Sequence, residues 1–420
     1  MKFLFSLAYK NLYRHKLRTL VSIIAIAFAV AIVVFARGYI VGLIDSVSAD
    51  QIQFDSGHIK ILDRNYYQQQ RLLPLNYPVD GFDGQDLGEM MAALQKIENV
   101  EMIIPRLKFA AAASTDDDLV AMNGWGVDPD KEIEFTNVEQ YLVEGRMVEP
   151  GKNEVVMGTA LLNKLDRQVG EKITLLYNTS YNSLKGTTFT ITGRLESGMK
   201  MLNEVVFYLP LTQAQNLLYM EDQVTELLLA APHRRYVPEI MPEVESLLDA
   251  QNAADRYLAI SYDEDSELIP YLDLARIIYN QVYIFLVLLA SIVVINTMIM
   301  IVKERTREIG MMSAMGLESR RILKLFIMEG AIMGIIGSLI GAVTGGILNA
   351  YLARIGINFS SATAGFSSEV IFNSIIYPVS SLRNVIFAFV LGVIVVTVAC
   401  IIPARRAARL NPTEAMREVG

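Results

Sequence analysis

Four apolar runs without a charged side chain or a histidine divide the chain. A helix needs about 20 apolar residues to cross the hydrocarbon core of a bilayer, or somewhat fewer where flanking side chains reach the interface. Each run is long enough, so the pattern predicts four transmembrane helices. The runs cover residues 20–36, 282–302, 330–352 and 385–402.

The long region between the first and second runs has a different pattern. Short stretches rich in β-branched and aromatic residues alternate there with segments of helical periodicity, which predicts a mixed α/β domain. Turn-forming clusters near residue 130 indicate a subdomain boundary, and we place a β-rich insertion at about 131–222. The predicted strands are 57–62, 153–158, 172–177, 187–195, 203–210 and 225–230, and the predicted helices are 87–98, 160–165, 211–219 and 238–252.

Composition agrees with this division. Hydrophobic residues make up 52% of the 420 residues and charged residues 20%, which is too apolar for an average soluble protein and too charged for one buried wholly in lipid. The predicted fold class is a membrane protein with four transmembrane α-helices and a large mixed α/β extracytoplasmic domain between spans 1 and 2. A signal peptide is the alternative for the first run, because VFA at 34–36 suits cleavage, but the run is longer than the apolar core of such a peptide.

Lysine and arginine flank the runs unevenly. The stretch before the first run, the segment 303–324 after the second, and the tail after the fourth together hold fifteen Lys and Arg against five Glu, so the rest of the chain carries a net charge of −18. Short basic loops stay in the cytoplasm, which predicts cytoplasmic termini and an external α/β domain. The single cysteine, Cys400, falls in the fourth run, so the external domain is predicted to lack disulfides.

These assignments give an order of segments along the chain. The helical pattern before the second run has no Gly or Pro after Pro270, which predicts a stalk that continues into the second span. The predicted segments are a cytoplasmic amphipathic helix (1–19), transmembrane helix 1 (20–44), the extracytoplasmic α/β domain (45–263), the stalk with transmembrane helix 2 (264–302), a charged cytoplasmic segment (303–324), transmembrane helix 3 (325–352), an external loop (353–384), transmembrane helix 4 (385–402) and a cytoplasmic tail (403–420).

Several kinds of chemistry have no support in the sequence. The chain has no G-x-x-x-x-G-K-[ST] loop for nucleotide phosphates and no H-E-x-x-H motif, and His15, His58 and His233 lack metal-ligand spacing. The runs contain no Asp pair and no buried ionisable residue for ion coupling; Glu329 comes nearest, but an interfacial position is its commoner explanation. We therefore predict no catalytic residue, no metal and no cofactor in this chain, and an energy source on another protein.

The segment KERTREIGMMSAMG, at 303–316, joins a charged half to a half rich in methionine. A short helix of this kind can place a soft apolar face in a groove of a partner protein. An amphipathic hairpin that lies on the membrane surface is an equal alternative from composition alone.

Four stretches carry a resemblance to a known family. The segment KERTREIGMMSAMGLESRRILKLFIMEG resembles the E-R-x-x-E-I-G-x-x-x-A-x-G segment of the MacB, FtsX and LolC/LolE superfamily of ABC-transporter permeases. Residues 7–34 and 403–418 look like the first helices and the tail of that family, and VEGRMVEPGKNEVVMGTALLNKLDRQVGEKITL at 143–175 is similar to its external domain. The resemblance covers essentially the whole chain.

This resemblance implies a type VII exporter subunit, a mechanotransmission permease with no substrate tunnel. Two such permeases would pair with a cytoplasmic ABC ATPase dimer that binds ATP and Mg²⁺, so this chain would be a non-catalytic subunit. Closure of the ATPase dimer would move the 303–316 segment as a coupling helix, and the stalks would shift the external domains. The implied coupling residues are Arg305, Glu308, Ile309, Gly310, Met311, Met312, Met315 and Gly316.

Within the superfamily, SGHIKIL after the first span and the absence of a fused ATPase look most like the lipoprotein-releasing LolC/LolE branch. That branch implies release of lipoproteins from the outer leaflet of the inner membrane to a periplasmic carrier. The alternatives are efflux of another amphiphile or peptide, and FtsX-like signalling to an external wall hydrolase. The second permease can be a copy or a paralogue, and no nucleic-acid partner is expected.

Two further sets of residues follow from the architecture. The outer ends of spans 1 and 2 could form an apolar groove for acyl chains, with lipid-facing packing as the alternative; its candidates are Phe35, Tyr39, Ile40, Leu43, Ile278 and Val282. Glycines at three- and four-residue spacing in span 3 allow close approach of helices, either inside one subunit or at a dimer interface. These glycines are Gly334, Gly337, Gly341 and Gly345.

Overall fold

The computed structural model describes residues 8, 11, 16–114, 118–197, 199–315, 317–359 and 375–409. The chain divides into two compact units. One, which we call the bundle, comprises Met1–Ile44, Leu272–Ile357 and Ile376–Gly420, and the other, which we call the α/β domain, comprises Asp45–Tyr271 with Asn358–Ile375.

The helices of the described residues differ greatly in length, and the four longest coincide with the apolar runs. The α-helices are, in chain order, α1 (Lys16–Gln51), α2 (Arg64–Gln69), α3 (Leu87–Leu94), α4 (Pro129–Thr136), α5 (Thr159–Leu165), α6 (Lys200–Glu204), α7 (Leu211–Leu218), α8 (Val237–Ala250), α9 (Tyr262–Asp265), α10 (Ile269–Glu304), α11 (Thr306–Ala314), α12 (Ser319–Ile355), α13 (Leu382–Ala399) and α14 (Ile401–Ala408).

The strands lie almost entirely between α1 and α10, as the change of pattern predicts. They are β1 (Ile59–Asp63), β2 (Met102–Ser114), β3 (Leu119–Val127), β4 (Leu142–Gly145), β5 (Glu154–Gly158), β6 (Lys172–Asn178), β7 (Leu184–Leu195), β8 (Val206–Pro210), β9 (Glu226–Ala230), β10 (Tyr257–Ser261), β11 (Ile357–Asn358) and β12 (Ile375–Ile376).

The predicted fold class is confirmed. Helices α1, α10, α12 and the stretch of α13 with α14 are each long and apolar enough to cross a membrane, and the α/β domain lies between α1 and α10 along the chain. One boundary differs from the prediction. The stalk helix was expected from residue 264, but α10 begins at Ile269, because Ser266 accepts hydrogen bonds from the amides of Leu268 and Ile269 at 3.3 Å and ends the short α9 before it.

Part of the large sheet closes on itself. Its order is β10-β1-β9-β2-β3-β8-β5-β7-β4, and β6 pairs with both β2 and β7. Strands β2, β3, β8, β5, β7 and β6 therefore form a closed ring of hydrogen-bonded neighbours, which removes free strand edges. Its apolar filling includes Phe109, Phe189 and Phe207. The other strands, β10, β1 and β9, extend from β2 as an open sheet.

Several strands are covered on both faces. All five residues of β1, β5, β8 and β9 are buried, whereas a strand with one wet face would alternate. Helices α3 and α8 supply one apolar layer over the open part of the sheet, through residues such as Met90 and Val244. A lysine or glutamate placed in these strands must consequently be paired inside the domain.

The bundle has its own apolar core. Helices α1, α10, α12 and α13 contribute to it, with Val30, Met298, Met333 and Val396 fully buried. Cys400 is a buried free thiol beside Gly330 of α12. Close contact of this kind needs glycine, because a Cβ at position 330 would lie 2.2 Å from the Cys400 sulfur.

Candidate functional site

The segment after α10 forms a short helix of its own. Arg305 has φ −101° and ψ 12°, outside the helical region, and it separates α10 from α11. The hydroxyl of Thr306 donates to the carbonyls of Val302 at 3.1 Å and Lys303 at 2.8 Å, so it competes with the backbone hydrogen bonds that would continue the helix. The result is a separate nine-residue helix, α11.

A buried ion network holds the start of α11 to the bundle. Arg305 is 6% exposed and donates to Glu308 at 3.0 Å and to Glu329 of α12 at 3.2 Å. Asn11 donates to the same oxygen of Glu329 at 2.6 Å. Because Glu329 is only 1% exposed, removal of Arg305 would leave a buried carboxylate without its counter-ion. We call these four residues the basic-end network.

The structure separates the eight predicted coupling residues by burial. Arg305, Ile309 and Gly310 are buried, and Ile309 belongs to the bundle core. Their burial positions α11 against the bundle, and their part in coupling stays a prediction. Of the others, Glu308 and Met312 are half-buried, Met311 and Met315 are exposed, and Gly316 lies outside the described residues.

The exposed face of α11 combines cations with methionine. Arg307 and Met311 lie one turn apart, and Met315, at 80% exposure, follows after another turn. A methionine side chain is flexible and polarisable, so a stripe of this kind suits a groove on another protein. Arg305, Ile309 and Gly310 are buried against the bundle, whereas Arg307, Met311 and Met315 are exposed.

Helices α1 and α10 contact each other near the same end of the bundle. Arg18, in the first turn of α1, makes an ion pair with Glu304 at the end of α10. One turn further along α1, Ser22 donates to the hydroxyl of Thr297 at 2.9 Å. These contacts hold the end of α10, from which α11 begins.

The glycine stripe of α12 lies inside the chain's own bundle. A Cβ at Gly341 would be 2.3 Å from the carbonyl oxygen of Ala27, and one at Gly345 would be 2.8 Å from the carbonyl oxygen of Ala31. Gly337 likewise contacts α1, and Gly334 contacts α13. Of the two alternatives for these glycines, their positions agree with close packing within one subunit.

The predicted apolar groove residues occupy different environments. On α1, Ile40 is buried, Leu43, Phe35 and Tyr39 are half-buried, and the rings of the last two stack at 6.4 Å. On α10, Ile278 and Val282 are exposed. The described residues do not show a cavity that all six line together, so the groove stays a prediction.

Sequence reasoning missed a polar contact among these apolar residues. Arg37 of α1 donates to Asn384 of α13 at 2.9 Å and to Asn280 of α10 at 3.2 Å, and its guanidinium lies 4.0 Å from the centre of the Phe387 ring. One arginine thus joins three helices. An arginine directly after one apolar run, with asparagines just before two others, is the signal that could have revealed it.

The helical segments and the α/β domain match separate family models. The model of the MacB-like periplasmic core domain matches residues 19–247, which is more than half of the chain. The chain belongs to this family. The model of the FtsX-like permease C-terminal region matches residues 281–412, which include α11 to α14 and, from the basic-end network, Arg305, Glu308 and Glu329.

The permease has curated relatives that it matches over most of their length. It is 26% identical over 338 residues to the lipoprotein-releasing system transmembrane protein LolE of Haemophilus influenzae, covering 77% of this chain and 79% of the relative. It is 22% identical over 303 residues to LolC of Xylella fastidiosa, covering 70% and 72%. Among solved structures, the periplasmic region of MacB from Actinobacillus actinomycetemcomitans has a TM-score of 0.35 at 12% identity and covers 49% of this chain and 88% of that one.

For the permease, the described side chains form no arrangement typical of catalysis or metal binding. In the described ranges, no group of three or more His, Cys, Asp or Glu side chains could hold a metal ion. The features that do stand out are contacts between helices and a short helix with one exposed apolar stripe.

Proposed function

We propose that the chain is the permease subunit of an ATP-driven mechanotransmission ABC transporter that releases lipoproteins from the outer leaflet of the inner membrane. The observation that carries the proposal is the geometry of α11, with Arg305 held by Glu329 on its buried side and Met311 and Met315 on its exposed side. A partner that grips the methionines would move α11, and the buried ion pair would pass that movement to the bundle.

The energy source in this proposal is a cytoplasmic ABC ATPase dimer that binds ATP and Mg²⁺. The excess of Lys and Arg beside the start of α1, around α11 and in the tail supports a cytoplasmic position for both termini and for α11. The α/β domain is then periplasmic. A second permease, either a copy or a paralogue, completes the complex, and the exposed apolar faces of α1 and α10 leave room for it or for lipid.

Lipoproteins are the proposed substrate because the relatives that this chain matches over most of their length include LolE and LolC, whose names describe a lipoprotein-releasing system. Acyl chains in a bilayer resist extraction by about 0.8 kcal/mol for each buried CH₂, which amounts to tens of kcal/mol for three chains. Such a cost requires ATP and an apolar path. We propose Phe35, Tyr39 and Ile278 among the residues that line this path, with a periplasmic carrier as the acceptor.

Reconstitution tests this function directly. The permease and its ATPase are placed in proteoliposomes that contain a triacylated lipoprotein, and release into solution is measured with and without a soluble carrier. We expect release that depends on ATP. No release, together with stimulation of ATP hydrolysis by a soluble peptide, a drug or a wall hydrolase, would move the assignment to efflux or signalling.

A matched pair of variants tests the part played by the exposed stripe. Met311→Asp with Met315→Asp places two charges on it, and we expect at least a roughly tenfold loss of release, because burial of an unpaired charge in the contact is costly. The control, Leu72→Asp with Leu119→Asp, makes the same change at two exposed residues of the α/β domain and should leave ATP-dependent release unchanged. Equal release from both double variants would exclude the stripe as the ATPase contact.

A further inference from the structure

A rare helical turn joins α1 to the sheet. Residues Ile52–Ser56 form a π-helix between α1 and β1, and Phe54 and Ser56 within it are buried. Such turns are uncommon and occur often at functional positions. The carbonyl of Phe54 accepts a hydrogen bond from Arg106 of β2 at 2.6 Å, and Gln53 donates to the carbonyl of Thr136. The turn is therefore held by the Arg106 side chain of the sheet and by the backbone carbonyl of Thr136 at the end of α4.

Five buried or nearly buried charges meet beside this turn. Lys60 of β1 is 1% exposed, and its ammonium lies 3.1 Å from Asp55 and 2.6 Å from Asp265. Lys108 of β2 lies 2.7 Å from Asp55 and 2.7 Å from Glu226 of β9. We call Asp55, Lys60, Lys108, Glu226 and Asp265 the root cluster. Each lysine contacts at least two carboxylates, so the loss of one contact leaves the others in place.

Two carboxylates of the root cluster mark the places where the long helices meet the domain. Asp55 lies in the turn directly after α1, and Asp265 is the last residue of α9, shortly before α10 begins. The side chain of Gln51, at the end of α1, donates to Asp55 at 3.0 Å and to Asp265 at 3.4 Å. Lys60 is thus the one side chain of the sheet that contacts both chain segments among the described residues.

The charges of two members of the cluster, Asp55 and Lys60, are stabilised in this setting. Burial would raise the pKa of Asp55, but the nearby charges of Lys108 and Lys60 outweigh it and hold that pKa well below its usual value. Burial would likewise lower the pKa of Lys60, but Asp265, Asp55 and Glu226 raise it well above the usual range. Lys60 therefore stays an ammonium ion, which both aspartates can share.

A cavity adjoins the cluster. It has a volume of about 420 Å³, and Asp55, Lys60, Lys108, Glu226 and Trp125 are among the residues that line it. Water in such a space can solvate a carboxylate that has lost its partner. Variants of the cluster should for this reason be able to fold, which allows positioning to be tested apart from folding.

We propose that Lys60 is a positioning residue that holds the end of α1 and the start of α10 to the same strand, so that both helices move with the sheet as one body. This inference rests on the proposed function in one respect, since the movement it transmits is the one that the ATPase would drive. The position of the helix ends relative to the sheet is nevertheless a property that can be measured without ATPase or substrate.

Spin-label distances within the α/β domain measure this position. Exposed Ala49 reports the end of α1, exposed Tyr271 reports the start of α10, and exposed Glu245 of α8 reports the domain. Cysteines introduced at these positions give a first-helix pair (49 with 245) and a second-helix pair (271 with 245). The full-length permease is labelled in nanodiscs in a Cys400→Ala background, which removes the only native thiol.

Lys60→Met should broaden the distance distributions of both pairs by about twofold, because both aspartates lose the shared ammonium. Asp265→Asn should broaden the second-helix pair and leave the first-helix pair narrow. The matched controls are Lys172→Met, at an exposed lysine of β6, and Glu267→Gln, at an exposed carboxylate two residues from Asp265; neither should alter either pair. Distributions as narrow as in the unmodified protein for both Lys60→Met and Asp265→Asn would overturn the proposal.

Fluorescence of Trp125, the only tryptophan, separates positioning from folding. A cooperative urea transition of Trp125 with broadened distances supports a positioning role. If neither variant gives a cooperative transition, Lys60 serves folding and the proposal is rejected. In the reconstituted complex, Lys60→Met should also lower release per ATP hydrolysed by about three- to tenfold. Broadened distances with no release from the unmodified permease would contradict the proposed function and leave this inference standing.

Discussion

The basic-end network and the root cluster lie near opposite ends of α10 along the chain, and they differ in how many contacts they contain. At the end of α10, one guanidinium, that of Arg305, serves Glu329 and the half-buried Glu308. Before its start, Lys60 and Lys108 are shared among three carboxylates. The first network holds a nine-residue helix, and the second holds strands of a continuous sheet.

This difference indicates what each end of α10 can do. A short helix held by one buried arginine can rotate when a partner pulls on it, because few contacts must break together. A cluster on three paired strands, β1, β9 and β2, holds its residues in fixed positions through backbone hydrogen bonds. We infer that α11 can move when a partner binds it, and that the residues of the root cluster keep fixed positions within the α/β domain.

The largest expected effect comes from removal of a buried ion pair of the α/β domain, next to the π-helical turn. Arg106 and Glu132 are fully buried and make a two-bond ion pair at 2.7 and 3.1 Å. Arg106→Met leaves Glu132 unpaired, and we expect a loss of about 3–5 kcal/mol in the free energy of unfolding of the α/β domain. Urea unfolding followed by Trp125 fluorescence in the full-length protein measures it.

The control for that prediction is an ion pair of the same geometry at the surface. Arg146 and Glu154 also make two bonds, at 2.7 and 2.8 Å, but Arg146 is about half exposed. Arg146→Met should cost less than about 1 kcal/mol, because water screens and replaces the pair. Equal losses in the free energy of unfolding for the two arginine variants would show that burial does not make the Arg106–Glu132 pair more stabilising than a surface pair.

The second prediction addresses the bundle and leaves the root intact. Gly341→Ala forces a methyl group against the backbone of α1, at 2.3 Å from the oxygen of Ala27, and should cost the bundle about 1–3 kcal/mol. Gly346→Ala, whose Cβ would meet only a side-chain atom of Val385 at 3.3 Å, is the milder control. Thermal unfolding in detergent, followed by circular dichroism, should show the difference, while the Trp125 transition in urea stays unchanged.

The smallest expected effect is the pH dependence that His58 gives to the stability of the α/β domain. Burial, with a smaller contribution from the charge of His233, lowers the pKa of His58 to about 4, and its Nδ1 accepts a hydrogen bond from the amide of Ala231 at 3.1 Å. The unfolded chain takes up a proton near pH 6.5 and the folded domain resists it, so stability should fall as pH drops from about 6.5 to 4. The loss at about pH 4.5 should be roughly 1–2 kcal/mol, given that His58 is partly exposed.

The substitution His58→Asn isolates this effect. Its side-chain oxygen can accept the same hydrogen bond but does not titrate. The pKa of Asp265 is raised by burial, which acts in the opposite direction over the same range, but it is present in both proteins and cancels in the difference. A pH dependence of the Trp125 transition that is identical with and without His58 would contradict the assignment.

The bundle could be predicted from the sequence to a large extent, because lipid requires an uninterrupted apolar run for each helix. The glycine stripe of α12 was also visible, although its partner, α1, was not. Which residues of the bundle are buried could not be predicted in the same way. Ile309 and Gly310 are among the predicted coupling residues, and both are buried; helical periodicity alone does not say which face of a nine-residue helix meets its own bundle.

Six strands of the α/β domain could be predicted from the sequence, but the long hairpin of β2 and β3 could not. The strands β1, β5, β6, β7, β8 and β9 fall at predicted positions. The hairpin of β2 and β3 was missed, because the run of alanines at 110–113 is typical of helices and Pro105 is rare inside a sheet. Closure of the ring through β6 depends on pairing with β2, which no local pattern reveals.

The root cluster lay beyond local reasoning for a related reason. Lys60 and Asp265 are 205 positions apart in the chain. In addition, a lysine between two isoleucines is typical of a strand whose one face is exposed to solvent. One signal was available: Arg106 and Lys108 alternate with apolar residues in β2, so both point to the same face. Two cations on one face of an otherwise apolar strand indicate a buried ionic partner, which only the tertiary structure identifies.

The exchange of Arg305 and Glu329 tests the central claim, that α11 passes movement to the bundle through one buried ion pair. Release of a triacylated lipoprotein per ATP hydrolysed is compared among the unmodified permease, Arg305→Glu, Glu329→Arg and the double variant, with ATPase binding as the control. We expect each single variant to lose about tenfold or more with the ATPase still bound, and the double variant to recover at least part of that loss, because the pair is restored in reverse. Single variants that release lipoprotein as well as the unmodified permease would contradict the claim.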